Sequence, residues 1–315
     1  MLSLLFPKKV SAAVLNDRIV HEKAKRKYST RLVHGGGVRG GALVILFENH
    51  LKGPGREAVI QRSVSKVTLY TFATSPYGVK VQTYLAYKRI PYEIVYVDPF
   101  HPRRTLPVGR IVPVLRIDDE SRNDSQEIAR WLDECFPERP LFPPDDEPCI
   151  AELDDWVQHC MIPANFKFAR PGLSPALPVQ VANAWRLGRA MNRTVPGGAI
   201  GWRRLFWPLV LRMTPFIRRE AARAPGTSLL DTARQISRRL DRELSAGPFL
   251  CGRNTLSIAD LSAYGPIALG YELGLAGGDG LLRRRRIREW ARRVHAELDP
   301  ALPLVPTELR VRSLA

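Results

Sequence analysis

Ser75-Pro76-Tyr77-Gly78 lies between an apolar run, Lys66 to Phe72, and a helix-patterned stretch that begins at Val79. A Cys-Pro-Tyr-Cys turn in that setting would hold a low-pKa thiolate at a helix N-terminus, where unpaired N–H groups and the helix dipole favour negative charge. Here the first position is a hydroxyl and the last has no side chain, so the turn has no thiol of its own. It is suited to another molecule's thiolate: Ser75 can donate a hydrogen bond and the helix end supplies positive potential. The simpler role for Ser75 is that of a helix N-cap.

Two further features suit a small ligand with peptide-like ends. Val112-Pro113 leads a buried-strand pattern, Val114-Leu115. A cis proline there would turn the Val112 backbone toward the Ser75 turn, and the alternative is a trans proline opening an edge strand. Asp124-Ser125 opens a helical pattern, and one of the two is expected to cap it. The same helix end suits a ligand carboxylate at Ser125, while Asp124 can pair with an ammonium, so a free amino-acid terminus would satisfy both. Ser257 and Asp260 have capping-box spacing, with Leu256 and Leu261 placed as a hydrophobic staple; this is a structural device.

The elements that must position these groups follow from periodicity. Val67 to Phe72 reads as a strand, Val79 to Lys88 as a helix stopped by Ile90-Pro91, and Tyr92 to Val97 as a second strand, which together predict a parallel strand-helix-strand unit. Asp98 to Gly109 is an irregular loop. Ile111 to Leu115, a turn over Asp118 to Asn123 with a very short strand, and a helix from Gln126 to Cys135 complete the unit. Beyond it the pattern is helical throughout, including an amphipathic helix over Ser228 to Leu244. The expected organisation is a basic, weakly ordered extension over 1–65, an α/β domain over 66–136, a proline-rich linker over 137–148, an all-helical domain over 149–300 and a tail over 301–315. The stretch Ile200 to Ile217 is unusually apolar, and core packing is expected to absorb it in preference to a membrane-surface or partner-binding stripe.

Composition narrows the function classes. The 315 residues are 45% hydrophobic and suffice for two cores, and no apolar run reaches the ~20 residues that span a bilayer. Of the net charge of +17, residues 1–65 supply +8, with twelve Lys/Arg against four Asp/Glu. The charge comes with no zinc spacing, aromatic RNA motif or helix-turn-helix pattern, which argues against nucleic acid. Cys135, Cys149, Cys160 and Cys251 have neither C-x-x-C nor metal-ligand spacing, so they read as free thiols in a reducing compartment, with no metal expected.

In order and spacing, Ser75 to Gly78, Val112-Pro113-Val114-Leu115, Asp124-Ser125-Gln126-Glu127-Ile128 and Ser257-Ile258-Ala259-Asp260 resemble the cytosolic glutathione transferase superfamily over about Lys66 to His295. The resemblance implies a thioredoxin-like α/β domain followed by an all-α domain, with glutathione as co-substrate. It implies Ser75 near the sulfur, and glutathione held by Tyr77, Val112, Pro113, Asp124 and Ser125. Tyr77 with Trp156, His159 and Phe166 would border the pocket for a small electrophile. It also implies a homodimer and a cytoplasmic location. The chain departs from thiol-exchange relatives at Ser75 and Gly78, which disfavours a mixed disulfide, and its Arg170 to Gly226 segment is longer than a compact transferase usually carries. The competing expectation is a non-enzymatic, metaxin-like interaction module that binds a protein partner or a membrane surface.

Overall fold

A computed structural model describes residues 65–143, 148–172, 175–195 and 201–314. All of the basic extension but Ser65, and residues 144–147 of the proline-rich stretch, lie outside the described residues. From Lys66 onward the chain forms one compact unit.

Its first part is a four-stranded mixed sheet with two helices. Strands β1 (Val67–Thr71) and β2 (Glu93–Tyr96) are parallel and joined by helix α1 (Pro76–Lys88). Strand β3 (Val114–Ile117) runs antiparallel to β1 and forms a hairpin with β4 (Glu120–Arg122), so the order is β2-β1-β3-β4. Helix α2 (Ser125–Cys135) follows β4. This is the thioredoxin-like arrangement, and β3 is an inner strand. The Val112-Pro113 bond that leads it is cis.

The second part is all helical. Helix α3 (Pro148–Trp156) passes through one π-type turn, Val157–Met161, into α4 (Ile162–Ala169). Helices α5 (Leu177–Thr194), α6 (Trp207–Met213), α7 (Pro215–Arg223) and α8 (Leu229–Glu243) come next, with a short 3-10 segment, Gly201–Phe206, leading into α6. Helices α9 (Ile258–Glu272), α10 (Ala276–Leu282) and α11 (Arg285–Glu297) follow.

Helix α9 is the axis of this core. It is apolar all round, as a fully enclosed helix must be, and only Tyr271 along it is not buried. The predicted capping box opens it: Ser257 and Asp260 satisfy each other's orphan groups, and Asp260 also accepts from Leu250 N and Trp290 Nε1, both at 2.8 Å. Gly265 lets α9 approach α1. A Cβ there would stand 2.6 Å from Thr83 Oγ1 and 3.0 Å from the Val79 carbonyl oxygen.

Two expectations are corrected. Cys149 and Cys251 are not free thiols but form a disulfide across 102 residues, with Cα atoms 6.0 Å apart. No local spacing signals a pair that only the folding of α3 against the Leu250 turn brings together. The apolar stretch before Ile217 is core on one side only. Trp207 and Leu211 are buried, whereas Trp202, Leu205, Phe206, Leu209 and Met213 are exposed, because α6 presents only one face to the protein. That inner face is anchored on α5, where a Cβ at Gly188 would come within 2.7 Å of the Trp207 side chain.

Candidate functional site

Strand register brings the three ligand-type features to one end of the sheet. Tyr70 pairs with Val114, so Thr71 is level with Pro113 one step further on. Leu115 pairs with Arg122, so Pro113 is level with Asp124 two steps further on. Ser75 leaves β1 at the same end. A ligand lying across this end would therefore meet the N-termini of α1 and α2 and the cis-proline backbone together.

Ser75 is the N-cap of α1. It has extended backbone (φ −81°, ψ 116°), Pro76 follows at the first helical position, and its Oγ accepts from Gly78 N at 3.0 Å. A hydroxyl that accepts this bond keeps its own proton, so capping leaves the Ser75 O–H able to donate. Gly78 is set by packing: a Cβ there would fall 1.9 Å from Thr71 Oγ1, and the Thr71 side chain thus fills the space a second cysteine would need. Asp124 is exposed and caps α2, with Oδ1 accepting from Gln126 N at 2.8 Å and Glu127 N at 3.1 Å. Ser125 is buried and donates to Gln158 Oε1 at 3.3 Å. Val112 and Val114 are buried with Val97 and Leu106 in a small cluster of their own.

Tyr77 and Phe166 come together, with ring centroids 6.1 Å apart, and Phe166 meets Phe216 of α7 edge-on at 5.6 Å. The Tyr77 hydroxyl donates to Glu220 Oε2 at 3.0 Å, and Glu220, itself buried, pairs with Arg223 at 3.0 Å. Burial first, and then the Glu220 charge and hydrogen bond, hold the Tyr77 phenol well above its ordinary value, so it stays protonated and committed to Glu220. Trp156 is half-buried against the main core. His159 is exposed and paired with Asp155 at 3.0 Å.

Beneath this end lies a buried polar network that no local motif announced. Lys80 of α1, fully buried, pairs with Asp154 at 2.9 Å and donates to Gln158 Oε1 at 3.2 Å. Asp154 also accepts from Ser262 Oγ at 2.5 Å and Gln126 Nε2 at 3.1 Å, and Ser262 exchanges a 2.6 Å bond with the Tyr84 hydroxyl. Burial works to raise the Asp154 carboxyl, but the Lys80 charge and the hydrogen bonds from Ser262, Lys80 and Gln126 outweigh it and hold the group below its ordinary value. Gln158, in the π-type turn, joins Ser125 to Lys80, so α1, α2, α3 and α9 are locked behind the site. The faint signals were Lys80 between two valines on a buried face, and Glu220 as the first acidic residue after Asp155.

Residues 69–140 match the family described as the glutathione S-transferase N-terminal domain. Over this segment, which runs from β1 past α2, the chain is similar to the glutathione S-transferases. Glutathione S-transferase U9 of Arabidopsis thaliana is 28% identical to this chain over 102 residues, 31% of the chain and 42% of the relative. The match thus spans about two fifths of that curated relative's length. Among solved structures the chain is similar to a rice glutathione S-transferase in complex with glutathione, at 19% identity over 78% of this chain and 92% of that one, TM-score 0.49. It is also similar to a glutathione S-transferase from Rhodospirillum rubrum, at 21% identity over 78% and 95% of the two chains, TM-score 0.45.

One set of donor atoms among the described residues is close enough for a metal: Cys149, Glu243 and Cys251, within 4.8 Å of one another. With both sulfurs in the disulfide, neither is a thiolate ligand.

Proposed function

We propose that the protein is a glutathione transferase that binds glutathione at the Ser75–Pro113–Asp124 end of the sheet and adds its thiolate to a small electrophile. The observation that carries the reading is the Ser75 hydroxyl at the N-terminus of α1, on the sheet end shared with the cis Val112-Pro113 bond and the α2 N-cap. Asp124 takes the ammonium of the γ-glutamyl end, the N-terminus of α2 at Ser125 takes its carboxylate, and the backbone at Val112-Pro113 pairs with the cysteinyl unit. Ser75 donates to the sulfur and, with the helix dipole, lowers the thiol pKa, so the nucleophile is present at neutral pH and its charge is held in place before attack. Tyr77 is not that donor, since its proton is held by Glu220. It borders the electrophile pocket instead, with Phe166 and Phe216, while Trp156 and His159 flank the same turn of the α3–α4 passage.

The reading includes the division into an α/β domain over 66–136 and a helical domain over 149–300, and assembly as a homodimer. Glutathione as co-substrate calls for a compartment that keeps it reduced, so we place the protein in the cytoplasm. A reducing compartment tests the Cys149–Cys251 disulfide, and thiol counting on freshly isolated protein reads whether it is kept.

The test is calorimetric titration of glutathione into the full chain, with Asp124→Asn and Ser75→Ala beside it. Asp124→Asn keeps a capping side chain but removes the charge, and is expected to lose affinity about tenfold with the melting temperature retained. Ser75→Ala is expected to lower turnover roughly a hundredfold and raise the pKa of the bound thiol, read by its ultraviolet thiolate absorbance. No binding at millimolar glutathione would overturn the thiol site, and unchanged turnover and thiol pKa would overturn the serine's role. The second reading, a metaxin-like interaction module, is favoured by the exposed apolar side chains ahead of α7. It would show glutathione-independent binding to a partner or membrane.

A further inference from the structure

From Trp156 to Arg219 the chain contains no Asp or Glu. Within that stretch Arg186 and Arg189 are exposed on α5, and Arg203 and Arg204 on the 3-10 segment. Interleaved with them are the largest exposed apolar side chains of this part of the molecule: Trp202 at 69%, Leu205 at 65%, Phe206 at 52%, Leu209 at 55% and Met213 at 69%. Monomeric surfaces rarely group such side chains without a reason.

The patch is built. Trp185 of α5, also exposed, donates from Nε1 to the Leu205 carbonyl at 3.4 Å, tying the two segments together. The Trp202 and Phe206 rings stack edge-on at 5.7 Å. Trp207 fills the space left by Gly188, so α6 is pinned by its inner side, while Leu209 and Met213, four residues apart, share the outer one and Phe206 is exposed just ahead of the helix.

We infer that this α5–α6 face docks on the surface of a membrane carrying anionic lipid, with Trp202, Phe206, Leu209 and Met213 entering the headgroup boundary and the flanking arginines meeting the lipid charge. Charge decides between occupants. A second copy of the chain meeting this face symmetrically would bring arginine against arginine, with no Asp or Glu in the Trp156–Arg219 stretch of either copy to pair them, and residues 1–65 are themselves basic. An anionic bilayer complements both the sign and the mixture of aromatic and aliphatic tips, as interfacial helices do. Helix α6 has only seven residues, and no helix among the described residues is long and apolar enough to cross a membrane, so the contact lies in the surface plane. The inference holds whether or not Ser75 supports turnover.

The test is co-sedimentation of the full chain with phosphatidylcholine vesicles, with and without about one-third phosphatidylserine, at low and at physiological salt. Binding is expected to be at least about tenfold stronger with phosphatidylserine and weaker at higher salt. Trp202→Ser/Phe206→Ser and Arg203→Glu/Arg204→Glu are each expected to lower it about tenfold or more, with far-UV circular dichroism unchanged. The wild-type distribution retained in both variants would overturn the proposal and assign the binding to the basic extension. Absence of vesicle binding by the wild type would overturn it too, as would a change in oligomeric state on substituting the face, which would make it a protein interface.

Discussion

Helix α9 and the segment from Gly201 to Met213 are both rich in apolar residues, yet one is wholly enclosed and the other is largely exposed. The difference lies in what accompanies the apolar side chains. In α9 the central polar groups are satisfied inside the protein: Asp260 by four donors, Ser262 by Asp154 and Tyr84, Tyr264 by His295 at 2.7 Å. Gly265 removes the side chain that would hold α1 away. In the 201–213 segment Arg203, Arg204 and Arg212 are interleaved with the apolar side chains and no acidic residue lies within the same stretch of chain, and desolvating three guanidinium groups would cost more than the apolar contacts return. Burial of a segment is thus decided by its least soluble-in-protein group and not by its mean hydropathy.

If that account holds, perturbing α9 should be costly and perturbing the outer face of α6 nearly free. The largest effect is expected for Asp260→Ala, which strips the partner from Leu250 N, Ser257 N, Ser257 Oγ and Trp290 Nε1 in a fully buried site. A loss of about 4 kcal/mol is expected by chemical denaturation, and a loss under about 1 kcal/mol would show that water can replace the carboxylate.

Glu272, at the end of α9, sharpens the comparison through pH. Its burial raises the carboxyl to about 7, with Arg310 at 3.4 Å only partly opposing this. Between its unfolded value, near 4.5, and 7 the native state keeps a proton that the unfolded chain has lost. Stability therefore falls as pH rises through this window. Glu272→Gln should remove that fall, leaving the variant more stable by up to about 3 kcal/mol above pH 7 and no different below pH 4. Parallel stability-pH curves for the two proteins would contradict the shift.

A smaller loss, about 2 kcal/mol, is expected for Gly265→Ala, because the new methyl meets Thr83 Oγ1 and the Val79 carbonyl oxygen. The comparison breaks if Gly265→Ala melts with the wild type. Smallest of all, Leu209→Ser should change stability by no more than about 0.5 kcal/mol, since that side chain is 55% exposed. A loss above 2 kcal/mol would mean the outer face of α6 is packed in solution.

Much of the fold was legible in the chain because its signals are local. Apolar patterning marked β1 and β2, Asp124 and Ser257 marked the starts of α2 and α9, amphipathic spacing marked α8, and α1 begins at Pro76, three residues before the helical pattern from Val79, with Ser75 as its cap. Such signals depend on backbone groups a few residues away, which sequence order alone supplies. The row formed by the Ser75 turn, Pro113 and Asp124 was legible to the same extent, through strand order. Lys80, Gln158, Phe216 and Glu220 were not, since each acquires its meaning from a partner at least 50 residues distant.

By itself, then, the sequence determined the caps, the strand-helix-strand unit, the cis-prone proline before β3 and the family resemblance, all of which rest on short-range geometry. Tertiary structure alone decided that Cys149 meets Cys251, that Lys80 and Asp154 are buried together, and which side of α6 faces out. Those outcomes turn on the desolvation of groups brought together from distant segments, and that free energy exists only once the helices have packed.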